Sequence, residues 1–456
     1  MRKRMQNFTP RQRALLLGIT GTLLAVVSIM GWSVWTTVRG TQGISLLPTP
    51  NPSAIISSPS AQGPTDAISP TPYFETARAG EISREVAEAR GLMPRWETPL
   101  TMVDTHEMSV ILYRRYQARI PFPLSERETL QAVGLWPGMD VQPDPVAQAQ
   151  IATALYFPEE GQLYIKRDVT DLDTLETRIA YGYALALPDQ YGDLARLRDE
   201  PSSLDRQIAL DALAAGDACI AILRYAGIEP GTTAAATLLD AIADSTLPLW
   251  RTESPDLDRL ARLPMEIGCD FATARYEAGG LEALNEAIRR PPRATEQLLH
   301  PEQYESWQSL KAFDPISVSL GTQWTLTHTE TVGEAMMAFT LSEWGPETFT
   351  TTLDGWNGDL LQVWKGPESA ETVLWQTAWD SDNQATTFEW QMREVLPSRV
   401  RELIQNQGTA PPEGLPPGKW WAGRWGSAFL RRYRNQVWLV WGNDLDAVKT
   451  IGAELP

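Results

Sequence analysis

The side chains that could coordinate a metal ion or act as nucleophiles are scarce in this 456-residue sequence. It contains three histidines and two cysteines, which are His106, His300, His328, Cys219 and Cys269. His106 is followed by a glutamate but not by a second histidine at helical spacing, so the zinc-binding pattern H-E-x-x-H is missing there. No G-x-S-x-G motif lies near a histidine, and no glycine-rich loop of the phosphate-binding type occurs. A metal site built from these histidines and other ligands remains an alternative interpretation.

The two cysteines and the many carboxylates leave further alternatives open. Cys219 and Cys269 lie fifty residues apart, on two segments with helical periodicity that should pack near each other. They could form one disulfide in an oxidising compartment, or remain two buried thiols. A glycosidase that uses a pair of carboxylates is also compatible with the composition. Acidic side chains in an acidic protein, however, usually form a solvated surface.

Helices dominate the first half of the sequence and would position any site there. Residues 162–168 alternate between apolar and polar side chains, which predicts a strand. Residues 174–187 carry an apolar stripe at helical spacing, and residues 203–226 predict a second helix. Ser202 and Asp205 have the spacing of a capping box at the start of that second helix.

Several ordered segments resemble a family of bacterial zincin-type metallopeptidases. They read ALYFPEEGQLYIKRD from Ala154, AYGYALALPDQYGDL over 180–194 and DALAAGDACIAILRY over 211–225. That family has a strand, then a helix in which H-E-x-x-H is followed by A-L-x-D-Q-x-x-D-L. A second helix carries E-G-D-A, whose glutamate is the third zinc ligand. Residues 263–280 and 291–304 resemble later segments of the family, so the similarity runs through residues 90–310 and implies a zincin-like domain.

The four functional positions of that family are all replaced in this sequence. Alignment on the shared D-Q and D-L pairs places the first zinc histidine at Tyr181, the catalytic glutamate at Gly182 and the second histidine at Leu185. Alignment on the shared G-D-A places the third ligand at Ala215. A hydrolytic zinc ion needs three protein donors, and its water needs a neighbouring general base. The resemblance therefore implies a degenerate member without catalytic residues, metal ligands or cofactor.

Tryptophan is dense in the second half, since thirteen of the eighteen lie after residue 300. The pattern of strands and helices there favours an α+β domain with a small antiparallel sheet over residues 311–456. A proline-rich loop precedes the last hairpin, whose predicted strands are Ser427–Tyr433 and Gln436–Gly442. We expect most of the tryptophans to fill the core between sheet and helices. The loop is a candidate binding lip, with Trp420, Trp421 and Trp425 as the best candidates for exposed side chains.

The N-terminal part predicts a membrane anchor. Residues 14–35 are uncharged and long enough to cross a bilayer as a helix. Five basic residues precede this run and one follows it, which predicts a cytoplasmic N-terminus. A cleaved signal peptide is the alternative, and both interpretations place the body outside the cytoplasm. We therefore expect a single-pass plasma-membrane protein that contacts the lipid bilayer through residues 14–35.

The predicted fold class is α+β, with the transmembrane helix followed by a mainly helical zincin-like domain and the C-terminal domain. The predicted domains are a cytoplasmic tail (1–13), the membrane helix (14–35), a Pro/Ser/Thr-rich linker (36–76), the zincin-like domain (77–310) and the Trp-rich domain (311–456). The formal net charge of −18 argues against a nucleic-acid partner, because phosphate contacts need a basic face.

These observations predict a non-catalytic module that binds a peptide or a protein. One alternative is an active hydrolase that uses a different site. Another is a structural or cell-surface interaction protein in which side chains close the former substrate cleft. An open groove beside Tyr181 would favour peptide binding in the cleft, and a filled groove would favour the interaction protein.

Overall fold

The described part of the chain combines helices with two β-sheets and is α+β. A helical part carries a three-stranded sheet, and it is followed by a six-stranded antiparallel sheet with helices. The computed structural model describes residues 76–117, 124–134, 144–169, 171–200, 202–246, 255–306, 309–345, 353–399, 410–423 and 426–456.

The helices in these residues are α1 (Thr76–Arg90), α2 (Thr105–Gln117), α3 (Leu124–Ala132), α4 (Pro145–Ile151), α5 (Leu172–Gly192), α6 (Leu194–Asp199), α7 (Leu204–Tyr225), α8 (Thr233–Thr246), α9 (Pro255–Arg289), α10 (Glu296–Leu299), α11 (Glu334–Trp344), α12 (Asp382–Arg399) and α13 (Leu445–Ala453). The strands are β1 (Leu100–Val103), β2 (Ala154–Phe157), β3 (Gln162–Lys166), β4 (Thr325–Glu330), β5 (Trp356–Lys365), β6 (Glu371–Trp379), β7 (Lys419–Ala422), β8 (Ser427–Tyr433) and β9 (Gln436–Gly442).

The helix α7 lies at the centre of the helical part and crosses α9 at very short range. A Cβ atom at Gly216 would lie 2.1 Å from the carbonyl oxygen of Gly268, and a Cβ atom at Gly268 would lie 2.1 Å from that of Ala212. Only glycine allows the two backbones to approach this closely. This crossing brings Cys219 and Cys269 together, and the two residues form a disulfide with Cα atoms 5.7 Å apart.

The start of α7 differs from the sequence-based expectation. Ser203, and not Ser202, is the N-cap residue, and its hydroxyl accepts a hydrogen bond from the amide of Arg206. The carboxylate of Asp205 is buried and bonds to another segment. The predicted capping box is therefore wrong, because a tertiary contact uses the side chain that would have completed it.

The three-stranded sheet has the order β1-β3-β2, with β3 parallel to β1 and antiparallel to β2. Leu163 and Ile165 alternate along β3 and are fully buried in the same cluster as the apolar face of α5. Period-two alternation places such side chains on one face of a sheet. The predicted strand over 162–168 thus corresponds to β3 and ends at Lys166.

The six-stranded sheet has the order β4-β5-β6-β9-β8-β7, and its strands other than the mostly exposed edge strand β4 are buried on both faces. Alternate residues of these strands enter two different clusters, as Trp375 and Leu374 do on β6. The cluster on one face includes side chains of α11 and α12, and the cluster on the other includes Val448 and Ile451 of α13. Dense aromatic residues in this half are therefore mainly core residues.

A short extended segment crosses the second face of this sheet. The amide of Ile316 donates to Oε1 of Gln362 at 2.9 Å, and Nε2 of Gln362 donates to the carbonyl oxygen of Ile316 at 3.2 Å. Gln376 and Trp438 extend this network across the buried face. The side-chain amide of Gln362 thus replaces a backbone partner for a segment that has no strand of its own.

The structure does not support the predicted membrane anchor within the residues that it describes. Among the helices that the structure describes, none combines the length and the apolar sequence needed to cross a bilayer. The longest, α9, carries charged side chains along its length, among them Arg262, Glu266 and Asp270. The predictions of a fold class with a transmembrane helix and of a single-pass plasma-membrane protein are therefore not upheld. Residues 14–35 lie outside the described residues.

Candidate functional site

The four positions that bear the zinc ligands and the general base in the resembling family come together at one place. Tyr181, Gly182 and Leu185 lie on α5, and Ala215 lies on the neighbouring α7. Tyr181 and Ala215 are buried, with Tyr181 only 3% exposed, and both belong to one hydrophobic cluster. Leu185 is half-buried and packs against the same cluster. The sequence alignment thus identifies neighbours in space, and these neighbours form a packed apolar core.

The space beside Gly182, the position to which the resemblance assigns a catalytic glutamate, is filled from the sheet. A Cβ atom at Gly182 would lie 2.5 Å from Cδ1 of Leu163, which is fully buried on β3. A carboxylate at this position would have to displace that leucine. Gly182 is therefore the residue that lets β3 lie close against α5.

The phenol of Tyr181 cannot replace an imidazole as a ligand. Burial raises the pKa of Tyr181 above its ordinary value, so the side chain stays neutral at physiological pH. A neutral phenol is a poor donor for zinc, and the other three positions carry no donor at all. Across the residues that the structure describes, no group of three or more His, Cys, Asp or Glu side chains is arranged to hold a metal ion.

Buried polar contacts stabilise the helices around this core. Arg90 of α1 and Asp217 of α7 form a fully buried, bidentate ion pair, with a shortest N–O distance of 2.6 Å. Asp189 accepts hydrogen bonds from the hydroxyl of Tyr156 and from the amide of Ala195, each at 2.8 Å. These contacts tie α5 and α7 to their neighbours and engage the carboxylates of Asp217 and Asp189.

A rigid loop between α1 and β1 presents exposed apolar side chains beside the core. Gln190 holds this loop through its side chain, accepting from the amide of Arg95 at 2.8 Å and donating to the carbonyl oxygen of Trp96 at 3.1 Å. Tyr191 donates to the carbonyl oxygen of Met93 and stacks under the guanidinium of Arg95. Met93 and Trp96 are 58% and 57% exposed. We call residues 93–96 the rim loop.

The three histidines lie apart, and each has a separate environment. His106 is exposed near the start of α2, and His300 is half-buried beside Glu334. His328 is buried on β4, where burial lowers its pKa. The sequence-based alternative of one metal site that uses these histidines has no geometric support among the described residues.

His328 takes part in an arrangement that resembles a catalytic relay. Its Nε2 lies 2.7 Å from the hydroxyl of Thr129, and its Nδ1 lies 3.5 Å from the carboxylate of Glu128. A proton on Nδ1 would let Nε2 accept from the hydroxyl, as a general base does. Thr129, however, is fully buried, so no substrate can reach its hydroxyl. The arrangement connects α3 to the edge strand β4.

A buried polar junction joins the helical part to the six-stranded sheet. Asp205 accepts hydrogen bonds from the amide and the hydroxyl of Thr295 at 2.9 and 2.5 Å. The same hydroxyl accepts from the amide of Ala335 at 3.1 Å, and Nε2 of His300 lies 3.1 Å from Oε1 of Glu334. Sequence reasoning missed this junction, because its residues come from α7, the segment around α10 and α11.

Burial changes the proton affinity of the junction carboxyls. It raises the pKa of Asp205 to about 7 and that of Asp359, a β5 residue that accepts from the amides of Val332 and Gly333 before α11, to about 6. It also raises the pKa of Glu334, whereas the hydrogen bond with Glu334 raises the pKa of His300 to about 8. Asp205, Asp359 and His300 therefore change charge near neutral pH.

Comparison with known proteins finds similarity in the second half of the chain. Residues 323–451 match a family model described as "Domain of unknown function (DUF8575)". No curated protein and no solved structure matches. The matched residues begin just before β4 and end within α13, so they cover the six-stranded sheet and its helices.

The predicted binding lip lies in this matched part and is not exposed where the structure describes it. Trp420 and Trp421 on β7 are 5% and 2% exposed and belong to the cores on opposite faces of the sheet. Trp425 lies outside the described residues. Alternating burial on a strand, rather than a loop, accounts for the two neighbouring tryptophans.

Proposed function

We propose that this chain is a non-catalytic binding protein, built on a zincin-like helical scaffold whose former hydrolytic site is closed by its own side chains. One observation carries the proposal: Leu163 occupies the space beside Gly182, the position that would bear the catalytic glutamate. The surrounding side chains are apolar and buried, as in a folded core.

The chemistry of these side chains supports the proposal. Zinc-dependent hydrolysis needs donors that hold the metal and a carboxylate that takes a proton from its water. Leu185, Gly182 and Ala215 supply neither. Activation of water at neutral pH depends on the bound metal, because the pKa of free water is about 15.7.

The rim loop is the surface that best supports binding. Exposed tryptophan side chains on rigid loops contribute strongly to protein interfaces, because little conformational entropy is lost on association. Trp96 and Met93 meet this description, since Gln190 and Tyr191 fix the backbone beneath them. The partner would be a peptide or an apolar protein segment that lies across the rim of the closed cleft.

Fluorescently labelled fragments of unfolded casein are a suitable peptide probe for the full chain. We expect saturable binding without cleavage, measured by fluorescence anisotropy and by electrophoresis. Trp96→Ser should weaken binding about tenfold, since a buried interface tryptophan commonly contributes more than 1 kcal/mol. Trp390→Ser is the matched control, because Trp390 on α12 has nearly the same exposure, 59%.

Cleavage of the probe would contradict the non-catalytic proposal. Absence of binding, or equal losses in both tryptophan variants, would contradict the assignment of the rim loop. These outcomes are distinct, so the two parts of the proposal can fail separately.

A second candidate function, a hydrolase with Thr129 as nucleophile, is favoured only by the 2.7 Å contact between Thr129 and His328. Its test is Thr129→Val, which keeps the side-chain shape and removes the hydroxyl. Loss of any hydrolytic activity in this variant, with stability unchanged, would support the hydrolase. The complete burial of Thr129 favours the structural interpretation.

A further inference from the structure

Two contacts hold the segment around α10 against α11. Thr295 links α7 to α11, because it donates to Asp205 and accepts from the amide of Ala335. Five residues further on, His300 contacts Glu334 in the first turn of α11. The contacts of Thr295 are made by neutral hydrogen-bond donors, whereas the contact of His300 with Glu334 depends on the charge of the imidazole.

The carboxylate of Glu334 has an unusual environment. Glu334 is 4% exposed, and its Oε2 has no hydrogen-bond partner among the described residues. Its other oxygen contacts His300, whose imidazolium is the charge that offsets burial of the carboxylate. A buried carboxylate that loses its cation is strongly unfavourable.

Further charges surround the pair on every element that packs against it. Apart from His300 itself, the ionisable groups that act on Glu334, His300, Asp205 or Asp359 are carboxyls, and they include Glu296, Glu302, Glu330 and Asp354. The guanidinium of Arg206 on α7 donates to the carbonyl oxygen of Pro292 in the same segment. The imidazolium of His300 therefore lies in a strongly acidic environment.

We propose that His300 and Glu334 form a proton-controlled latch, which holds residues 295–303 against α11 at mildly acidic and neutral pH and releases them at alkaline pH. When His300 loses its proton to solvent, Glu334 keeps a buried charge without a counter-ion. The same change leaves the ionised Glu334 acting on the buried carboxylate of Asp205 without a neighbouring imidazolium. Separation of the segment from α11 then hydrates these charges.

The consequence is a pH-dependent local opening between the helical part and the six-stranded sheet. The opposite side of the segment is held independently of His300, because Tyr304 stacks on Phe271 of α9 and its hydroxyl donates to the carbonyl oxygen of Arg290. Release would therefore expose the start of α11 while the segment stays attached to α9. Opening would be local and would precede global unfolding.

Hydrogen exchange of the full chain, followed by mass spectrometry and corrected for intrinsic rates, tests this proposal. Peptides that cover residues 294–306 and 331–341 should lose about tenfold in protection between about pH 6 and about pH 9, as a local opening equilibrium shifts. Peptides that cover the disulfide-linked crossing of α7 and α9 should keep their protection. A uniform loss, or no loss, would overturn the proposal.

Two variants should respond in opposite ways. Glu334→Gln removes the charge that needs His300, so its protection should change less with pH than that of the wild type. His300→Gln removes the cation, so the same peptides should already exchange faster at about pH 6. Glu302→Gln is the control for an exposed carboxylate, because Glu302 lies 3.9 Å from His300 without a hydrogen bond to it. Its removal should change the pH response much less than Glu334→Gln does.

A second measurement does not depend on how well the variants fold. The chain has three histidines, so NMR can follow each imidazole separately in the wild type. The pKa of His300 should be about 8. A pKa at or below the ordinary value of about 6.5 would overturn the proposal, as would equal pH responses of Glu334→Gln and the wild type.

Discussion

Leu163 on β3 lies directly against Gly182 on α5, where a Cβ atom would be 2.5 Å from Cδ1 of the leucine. This contact places an aliphatic side chain at the position where the resembling metallopeptidases have their catalytic glutamate. The same contact fixes the distance between the small sheet and the helix that would carry two zinc ligands. The rest of the closed site, including Tyr181, packs around it.

Gly182→Ala should destabilise the protein. Sequence considerations alone predict a gain of about 1 kcal/mol, because alanine favours a helix. The added methyl group, however, collides with a fully buried leucine, and overpacking of this kind costs about 1–3 kcal/mol. Denaturant unfolding gives the difference, and Gly80→Ala is the matched control, since no atom lies within 4 Å of a Cβ at Gly80 on α1. A similar gain in both variants would contradict the closed site.

The buried ion pair between Arg90 and Asp217 should show strong coupling between its two partners. Arg90→Met leaves the carboxylate of Asp217 buried without a cation and should cost about 3–5 kcal/mol. The double variant with Asp217→Leu removes both charges and should be clearly more stable than the single variant. A double-mutant cycle by chemical denaturation measures the coupling. Additive losses would show that the pair does not connect α1 to α7.

Gly333 should tolerate substitution much less than another glycine with positive φ. A Cβ atom at Gly333 would lie 2.0 Å from Oδ1 of Asp205, and φ is +88°. Gly231 has φ of +72° but open space around it. Gly231→Ala should therefore cost only the backbone strain, about 1 kcal/mol, whereas Gly333→Ala should cost more because it also disrupts the polar junction. Equal changes in melting temperature would contradict the close packing of the junction.

Stability should depend on pH through Asp205. Burial raises the pKa of Asp205 to about 7 in the folded protein, from an ordinary value of 3.8. The folded state then binds the proton more tightly than the unfolded state. The resulting stabilisation is complete below the unfolded pKa and is lost as the pH rises through the folded pKa.

The free energy of unfolding of the wild type, relative to that of Asp205→Asn, should thus be greater at about pH 5 than at about pH 8. Comparison with this variant removes the contributions of exposed carboxyls, which have the opposite sign. A difference that is constant, or that increases with pH, would contradict the raised pKa of Asp205.

Local patterns were enough to predict many elements of this fold. The predicted hairpin strands, Ser427–Tyr433 and Gln436–Gly442, have the same bounds as β8 and β9. Helical periodicity also located α5 and α7 to within a few residues at most ends. In these elements, the spacing of apolar residues along the sequence matches the side chains that the fold buries. A short stretch of sequence is therefore enough to predict the element.

Features that depend on distant residues could not be predicted in this way. Asp205 has the sequence signature of a capping residue, but Thr295, ninety residues away, determines its role. Trp420 and Trp421 follow a proline-rich loop, and only the pairing of β7 with β8 shows that they are buried. The contact between Leu163 and Gly182 likewise requires the packing of a strand on a helix, which a local sequence pattern does not show.

Elemental analysis of the purified full chain tests the central claim most directly. The chain should contain no stoichiometric zinc after incubation with excess zinc and gel filtration, since Tyr181, Leu185 and Ala215 provide no set of donors. One zinc ion per chain that is lost in Tyr181→Phe, or in a variant of His106 or His300, would contradict the account of a closed, non-catalytic site.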